Sequence, residues 1–170
     1  TPGFGGKSAF LALDAEAYMG LFDFARMFAP RCHAIRFCES ADINLHAIFG
    51  EGNAVSCRLY TPGMSRVISV RRVLEKCRCR GEGELNIHIE DPTAPWNDGT
   101  WKLRYGAENT VEITADPADI SMTANAFSAM ISGHIGFADL TFVPGAKVLN
   151  EAAPLGDVFY KKKSVVLDLF

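Results

Sequence analysis

Residues 85–105 read LNIHIEDPTAPWNDGTWKLRY. Apolar and polar residues alternate over residues 85–90 and again over residues 101–105. Alternation with a period of two predicts strands that bury one face. The Pro- and Asp-rich residues 91–99 predict a long turn between them, and the alternation returns in a third strand over residues 111–113. We therefore predict an antiparallel meander with one face toward a core.

Helices are predicted on both sides of this meander. Downstream, a helix is expected over residues 124–132 with Gly133 just past its end, and a shorter one over residues 149–159. The apolar residues 165–170 predict a buried chain end. Upstream, the pattern predicts a helix over residues 15–28 that begins at Asp14, a strand over 33–37, a helical turn over 45–49, strands over 55–60 and 64–68, and a helix over 70–76 capped by Ser69. The fold class is therefore α+β, with a mainly antiparallel sheet and packed helices.

Composition excludes several classes of protein. Of 170 residues, 48% are hydrophobic and 22% charged, which is typical of a globular domain and excludes wholesale disorder. A net charge of −3 argues against a nucleic-acid binder, which needs a basic excess. No apolar run is long enough to span a membrane, and the first residues lack the pattern of a secretion signal. We expect a cytoplasmic protein that, lacking an initiator Met, begins inside a longer one.

The residues that could carry chemistry do not form a catalytic constellation. Gly6-Lys7-Ser8 lacks the rest of a phosphate-binding loop, and the four histidines show no metal-ligand spacing. Glu90 and Asp91 are expected to cap backbone amides, while His88 and the lysines at 161–163 are expected to be solvated. The five cysteines are predicted to be reduced thiols that bind no metal: Cys32, Cys38, Cys57, Cys77 and Cys79.

The order of several short motifs is more informative. Residues 63–74, GMSRVISVRRVL, are followed by a strand ending at Asp91, by Pro95-Trp96-Asn97, by Ala118-Asp119-Ile120-Ser121 and by an apolar helix closing at Gly133. This order resembles the C-terminal half of the enhanced intracellular survival (Eis) acetyltransferases over roughly residues 14–170. Ser69 stands where that family usually has Asp. Trp96, in the turn, is predicted to be a buried anchor.

The resemblance implies a domain map. Residues 1–60 would end a central GNAT-like α/β region, and residues 61–170 would form a sterol-carrier-protein-like C-terminal domain. The implied partners are an upstream GNAT domain and further copies in a homo-oligomer, with acetyl-CoA as the cofactor of the whole enzyme. The motif that would hold acetyl-CoA is missing from this chain, so no cofactor or metal site is expected here. If Phe170 is the natural terminus, the resemblance implies that its terminal carboxylate acts as the catalytic base.

Three functions stay open at this level. The chain could line the acceptor-amine side of an acetyltransferase cleft and scaffold an oligomer, without binding acetyl-CoA itself. It could instead bind lipid in an apolar tunnel lined by Phe127, Met130, Ile131 and Phe137. It could also be a purely structural interaction domain, in which case Phe170 only packs a core. An apolar cavity of several hundred Å³ (about 300–1,000 Å³ for typical ligand sites) would favour lipid binding.

Overall fold

The computed structural model describes residues 14–31, 43–49, 56–58 and 64–162, together with three single positions, Ala12, Ala34 and Phe37. The described residues up to 58 belong to one compact unit, and residues 64–162 belong to a second. Within these residues, every helix is too short or too polar to cross a membrane.

The first unit is organised by α1, Ala15–Arg26. The Asp14 carboxylate accepts a hydrogen bond from the Ala17 amide at 2.7 Å, as predicted for its cap. Tyr18 and Phe22 are buried, and the Phe22 ring meets those of Tyr18 and Phe37 edge to face at 4.9 and 5.1 Å. The predicted helical turn is confirmed as α2, Leu45–Phe49.

Two strands predicted in this unit lie mostly outside the described residues. Of residues 33–37 and 55–60, the structure describes positions 34, 37 and 56–58, and none of these is in a strand. Residues 64–68, also predicted as a strand, do not form one in the structure. Their hydrogen bonds go to side chains instead: the Val67 amide donates to Ser128 Oγ at 3.0 Å.

The second unit is built on a five-stranded sheet with the order β3-β2-β1-β4-β5. Its strands are β1 (Gly83–Glu90), β2 (Gly99–Tyr105), β3 (Thr110–Ile113), β4 (Ile120–Thr123) and β5 (Ala146–Val148). The first three form the predicted antiparallel meander. Strand β4 returns parallel to β1, and β5 pairs antiparallel with β4. The mainly antiparallel α+β fold is thus confirmed, with one parallel pair that the sequence pattern did not reveal.

The sheet buries one face, as the alternation predicted. Across β1 and β2, Leu85 faces Leu103 and Ile87 faces Trp101, and all four side chains are buried. The other face carries ion pairs: Arg104 contacts Glu84 and Glu112 at 2.8 Å each, and Lys102 contacts Asp116. A core on one side and solvated charges on the other are typical of an antiparallel sheet.

Three helices contribute to the buried side: α3 (Val70–Lys76), α4 (Ala124–Ile131) and α5 (Leu155–Val158). The predicted caps are present, since Ser69 Oγ accepts from the Arg72 amide at 3.4 Å. Gly133 has φ +77°, and a Cβ there would lie 2.3 Å from Cβ of Lys162, so the position requires glycine. The helix predicted over residues 149–159 is shorter than expected and begins only after Pro154.

Trp96 corrects one expectation. Its side chain is 64% exposed, whereas that of Trp101 is 3% exposed. The Trp96 indole N–H donates to the Ile68 carbonyl at 2.8 Å, which anchors the ring on the outside of the turn. Trp101 lies on the buried face of β2, and its N–H donates to the Asn97 carbonyl at 2.9 Å. The turn is therefore anchored from within the sheet.

Because the two tryptophans differ in burial, we expect their alanine variants to differ in stability. Trp101→Ala should lower the free energy of unfolding by about 3–5 kcal/mol, since it empties a core position. Trp96→Ala should lower it by about 1 kcal/mol, since it removes one exposed hydrogen bond. Denaturant titration followed by fluorescence of the remaining tryptophan measures both. Equal losses would contradict the assignment of Trp101 as the anchor.

Candidate functional site

The predicted catalytic carboxylate, that of Phe170, lies outside the described residues, and so does the Gly3–Ser8 loop. The role of Phe170 as a base therefore stays a prediction. The polar chemistry that the structure does describe is concentrated where β1 ends, at Asp91.

The Asp91 side chain is fully covered and accepts hydrogen bonds on both oxygens. Oδ1 accepts from the amides of Thr93 and Ala94 at 3.2 and 3.0 Å, and from Arg66 Nη2 at 2.5 Å. Oδ2 accepts from Asn97 Nδ2 at 3.0 Å. The prediction that Asp91 caps backbone amides is confirmed.

Asn97 extends these contacts to the start of α3. Its Oδ1 accepts from the Val70 amide at 3.0 Å, and its Nδ2 also donates to the Ile68 carbonyl at 3.1 Å. The side chains of Asp91, Arg66 and Asn97 are called the Asp91 network below. It ties the segment that enters the domain, residues 64–70, to the turn between β1 and β2.

Two opposing influences set the pKa of Asp91. Burial favours the neutral acid and raises the pKa, but the hydrogen bonds from Asn97, Arg66, Thr93 and Ala94 outweigh it and lower the pKa to about 2. A carboxylate so fully occupied by donors is a poor proton acceptor at neutral pH. The network therefore holds structure and does not supply a catalytic base.

Sequence reasoning missed Arg66 and Asn97 as members of this network. Both lie inside the motifs quoted above, Arg66 in residues 63–74 and Asn97 in Pro95-Trp96-Asn97. For Asn97, a signal was present in the sequence: it is a polar residue in the turn that follows a strand ending in Asp. Such a residue is placed to satisfy the carboxylate that the strand brings to the core edge.

The residues proposed to line a lipid tunnel do not share one environment. Phe127 and Met130 are fully buried and Ile131 is nearly so, and all three belong to the contiguous core. The Phe127 ring meets Phe159 edge to face at 6.4 Å. Phe137 instead lies at the surface, 38% exposed. The packed contacts favour a filled core at these positions.

One broad, open depression of about 830 Å³ is lined by residues 75–79 and 106–111. Its wall carries Glu75, Lys76, Arg78, Glu108 and Asn109 and is therefore largely polar. An apolar lipid requires an apolar lining, so this depression does not fit one. Within the part of the chain that the structure describes, no three metal-binding side chains are grouped together.

Two surface expectations are corrected. His88 is half-buried, with Nδ1 3.1 Å from Thr100 Oγ1, and is not freely solvated. Lys162 is also half-buried: its Nζ lies 4.7 Å from the centre of the Tyr160 ring and donates to the Ile131 carbonyl at 3.3 Å. In contrast, Cys57, Cys77 and Cys79 are free, as predicted, while Cys32 and Cys38 lie outside the described residues.

The low pKa of Asp91 predicts a specific dependence of stability on pH. Its ordinary value is 3.8 and its value here is about 2, so the ionised side chain stabilises the fold above pH 4, and this contribution is lost as the pH falls through 2. Because its partner Arg66 is partly exposed, we expect the ionised Asp91 side chain to add about 1–2 kcal/mol to the free energy of unfolding.

Denaturant titrations of Asp91→Asn at several pH values test this. At pH 7 the variant should be about 2–4 kcal/mol less stable than the wild type, since Arg66 loses its partner. The difference in the free energy of unfolding between wild type and variant should become smaller by about 1–2 kcal/mol between pH 5 and pH 2. The matched control is the exposed neighbour, Glu90→Gln, which should stay within about 0.5 kcal/mol of the wild type at pH 7. A gap that does not change with pH would contradict the assigned ion pair.

Solved structures similar to this fold are parts of larger proteins. A probable N-acyltransferase from Enterococcus faecalis matches with a TM-score of 0.55 and 23% identity, covering 62% of this chain and 28% of that one. A GCN5-related N-acetyltransferase from Kribbella flavida matches with a TM-score of 0.54 and 18% identity, covering 62% of this chain and 28% of that one. Another, from Anabaena variabilis, matches with a TM-score of 0.52 and 16% identity, covering 58% of this chain and 26% of that one. At these identities the likeness concerns the fold alone.

The match to each of these structures spans little more than a quarter of its length. Comparison with curated protein sequences finds no match. The family model described as the sterol carrier protein domain matches residues 70–166, which is more than half of the chain and contains the whole sheet. The chain belongs to the sterol carrier protein domain family.

Proposed function

We propose that this chain is the C-terminal part of an Eis-like N-acetyltransferase. Residues 61–170 would line the acceptor-amine side of the cleft and scaffold the oligomer, and residues 1–60 would end a central GNAT-like region. One observation carries the proposal: about 60% of this chain matches transferase structures of which it covers only about a quarter. A sterol-carrier-type domain that covers only about a quarter of the structures it resembles is expected to be one module of a larger enzyme.

The Asp91 network supports a positioning role. A domain that lines a cleft must hold its wall rigidly relative to the rest of the enzyme. Here the entering segment is fixed by the Arg66–Asp91 ion pair and by the bonds of Asn97 to Val70 and Ile68. These contacts are covered or partly covered, so water competes for them less than for surface contacts.

We infer that the starts of α1, α3 and α4 do not hold acetyl-CoA. Its pyrophosphate would need free amides at the start of a helix. The Val70 and Arg72 amides of α3 are taken by Asn97 and Ser69, the Ala126 amide of α4 by Thr123, and the Ala17 amide of α1 by Asp14. We propose that the GNAT region upstream supplies the acetyl-CoA site.

Lipid binding is the second candidate, since it follows from the name of the family. The packing of Phe127 against Phe159 and the polar lining of the described depression speak for the scaffold instead. Titration with a fluorescent fatty acid discriminates the two. Saturable binding that Phe127→Trp abolishes, in a variant that stays folded by circular dichroism, would establish the lipid function.

The missing phosphate cradle predicts that the isolated chain gives no saturable heat with acetyl-CoA in a calorimetric titration. The complete gene product should bind acetyl-CoA and acetylate primary amines, releasing free CoA thiol. Deleting residues 64–170 from it should abolish transfer but leave acetyl-CoA binding. Micromolar binding by the isolated chain, or full transfer without these residues, would contradict the proposal.

The proposed role of Phe170 predicts that the position of its carboxylate affects turnover more than the packing of its ring does. In a complete gene product that ends at Phe170, one glycine added after this residue should move the carboxylate by about 3.5 Å. Turnover should then fall about 10²–10⁴-fold, since a general base must lie within hydrogen-bond reach, while the melting temperature changes little. Asp168→Asn is the matched control, because it removes a nearby charge and leaves the terminus in place. Unchanged turnover in the extended protein would exclude the carboxylate as the base.

A further inference from the structure

Cys77 and Cys79, both predicted to be reduced thiols, lie side by side in space. The sulfurs of Cys77 and Cys79 are 3.6 Å apart, and both side chains are half-buried. Cys77 ends α3 with an extended backbone, φ −65° and ψ 146°. In an extended segment, residues two apart point to the same side, which brings the two thiols together.

The surroundings make the two thiols unequal. Asn109, in the turn between β2 and β3, directs its side-chain amide at the Leu74 and Cys77 carbonyls, 2.8 Å from each, and lies 3.6 Å from the Cys77 sulfur. The hydrogen bond from Cys79 lowers the pKa of Cys77 and outweighs burial, with help from the positive charge of Lys162. The same hydrogen bond, together with burial, raises the pKa of Cys79. Cys77 is therefore the better thiolate and Cys79 the proton donor.

The pair is also accessible. Both cysteines contribute to the wall of the open depression of about 830 Å³. Arg78 between them is exposed, and Lys76 precedes them. Glu75 and Glu108 line the same depression, so its wall carries charges of both signs, and a small disulfide can reach the sulfurs from this open side.

We propose that Cys77 and Cys79 form a reversible intramolecular disulfide by exchange with a small disulfide of the glutathione class. The Cys77 thiolate attacks one sulfur of the small disulfide, forms a mixed disulfide and releases one small thiolate. Cys79 gives its proton to that thiolate and attacks the Cys77 sulfur, which releases the second small molecule as a thiolate. Two protein thiols are oxidised, and one small disulfide is reduced to two thiols.

The geometry favours an easily reduced bond. The sulfurs must approach from 3.6 Å to about 2.05 Å, which is a small movement. Only Arg78 separates the two cysteines, so the closed ring is small, and strained, accessible disulfides are the readily reversible ones. The site is thus suited to respond to the redox state of its surroundings.

Equilibration of the chain in buffers of reduced and oxidised glutathione, followed by acid quenching, alkylation and digestion with a protease that cuts after Glu, tests the proposal. Cleavage after Glu75 and Glu82 leaves both cysteines on one peptide, residues 76–82. In oxidised buffer this peptide should carry no alkyl group and be lighter than the reduced peptide by two hydrogen atoms, and treatment with dithiothreitol before alkylation should give the doubly alkylated peptide. Cys57→Ser is the matched control, since it removes an exposed cysteine and leaves the pair intact.

Single variants identify the order of the two steps. Cys79→Ser should accumulate glutathione on Cys77, because the second step is blocked. Cys77→Ser should react more slowly than Cys79→Ser, because the Asn109 amide lies against the Cys77 sulfur and stabilises a thiolate there. Circular dichroism establishes that both variants are folded. Alkylation of both cysteines in every buffer, links only between chains, or faster reaction of Cys79 would each overturn the proposal. None of these outcomes depends on acetyl transfer.

Discussion

The buried carboxylate of Asp91 is the constraint on which the second unit depends. An ionised group removed from water is tolerated only when its oxygens are satisfied, and here two backbone amides, Arg66 and Asn97 do so. Each of these partners belongs to a chain segment that is held in place by its bond to the carboxylate. The carboxylate therefore fixes the turn after β1, the entering residues 64–70 and, through Asn97, the first amide of α3.

The position of α3 then determines what happens at its other end. The helix has only seven residues, so a fixed start also fixes Cys77 at its end. The Asn109 amide holds the last carbonyls of α3, which joins the turn between β2 and β3 to the same helix. One chain of hydrogen bonds thus runs from the end of β1, along α3, to the opposite turn of the meander. The cysteine pair lies at the end of that chain.

The sequence predicted those parts of the fold whose pattern repeats. Strands β1 and β2 alternate for long enough to be recognised, and the four-residue β3 follows them after a short turn as the next strand of the meander. Asp14, Ser69 and Gly133 mark helix ends through their own chemistry. Strands β4 and β5 have four and three residues, too few to display a period, and exist because they pair. The exposure of Trp96 could not be predicted from the sequence, because a residue in a turn has no period to indicate its face. The distance between Cys77 and Cys79 depends on backbone angles, which spacing alone does not give.

The packing at Phe127 and Met130 bears on how the domain contributes to function. A sterol-carrier-type sheet can serve a lipid only if space is left beneath it, and the positions expected to leave that space hold Phe127 and Met130 in contact with the core. The charged network at the end of β1 is likewise fully occupied by partners within the domain. Positions that belong to the packed core offer an apolar ligand little space, and a polar network satisfied within the domain offers it no free partner. These two observations support the proposed scaffold over lipid binding.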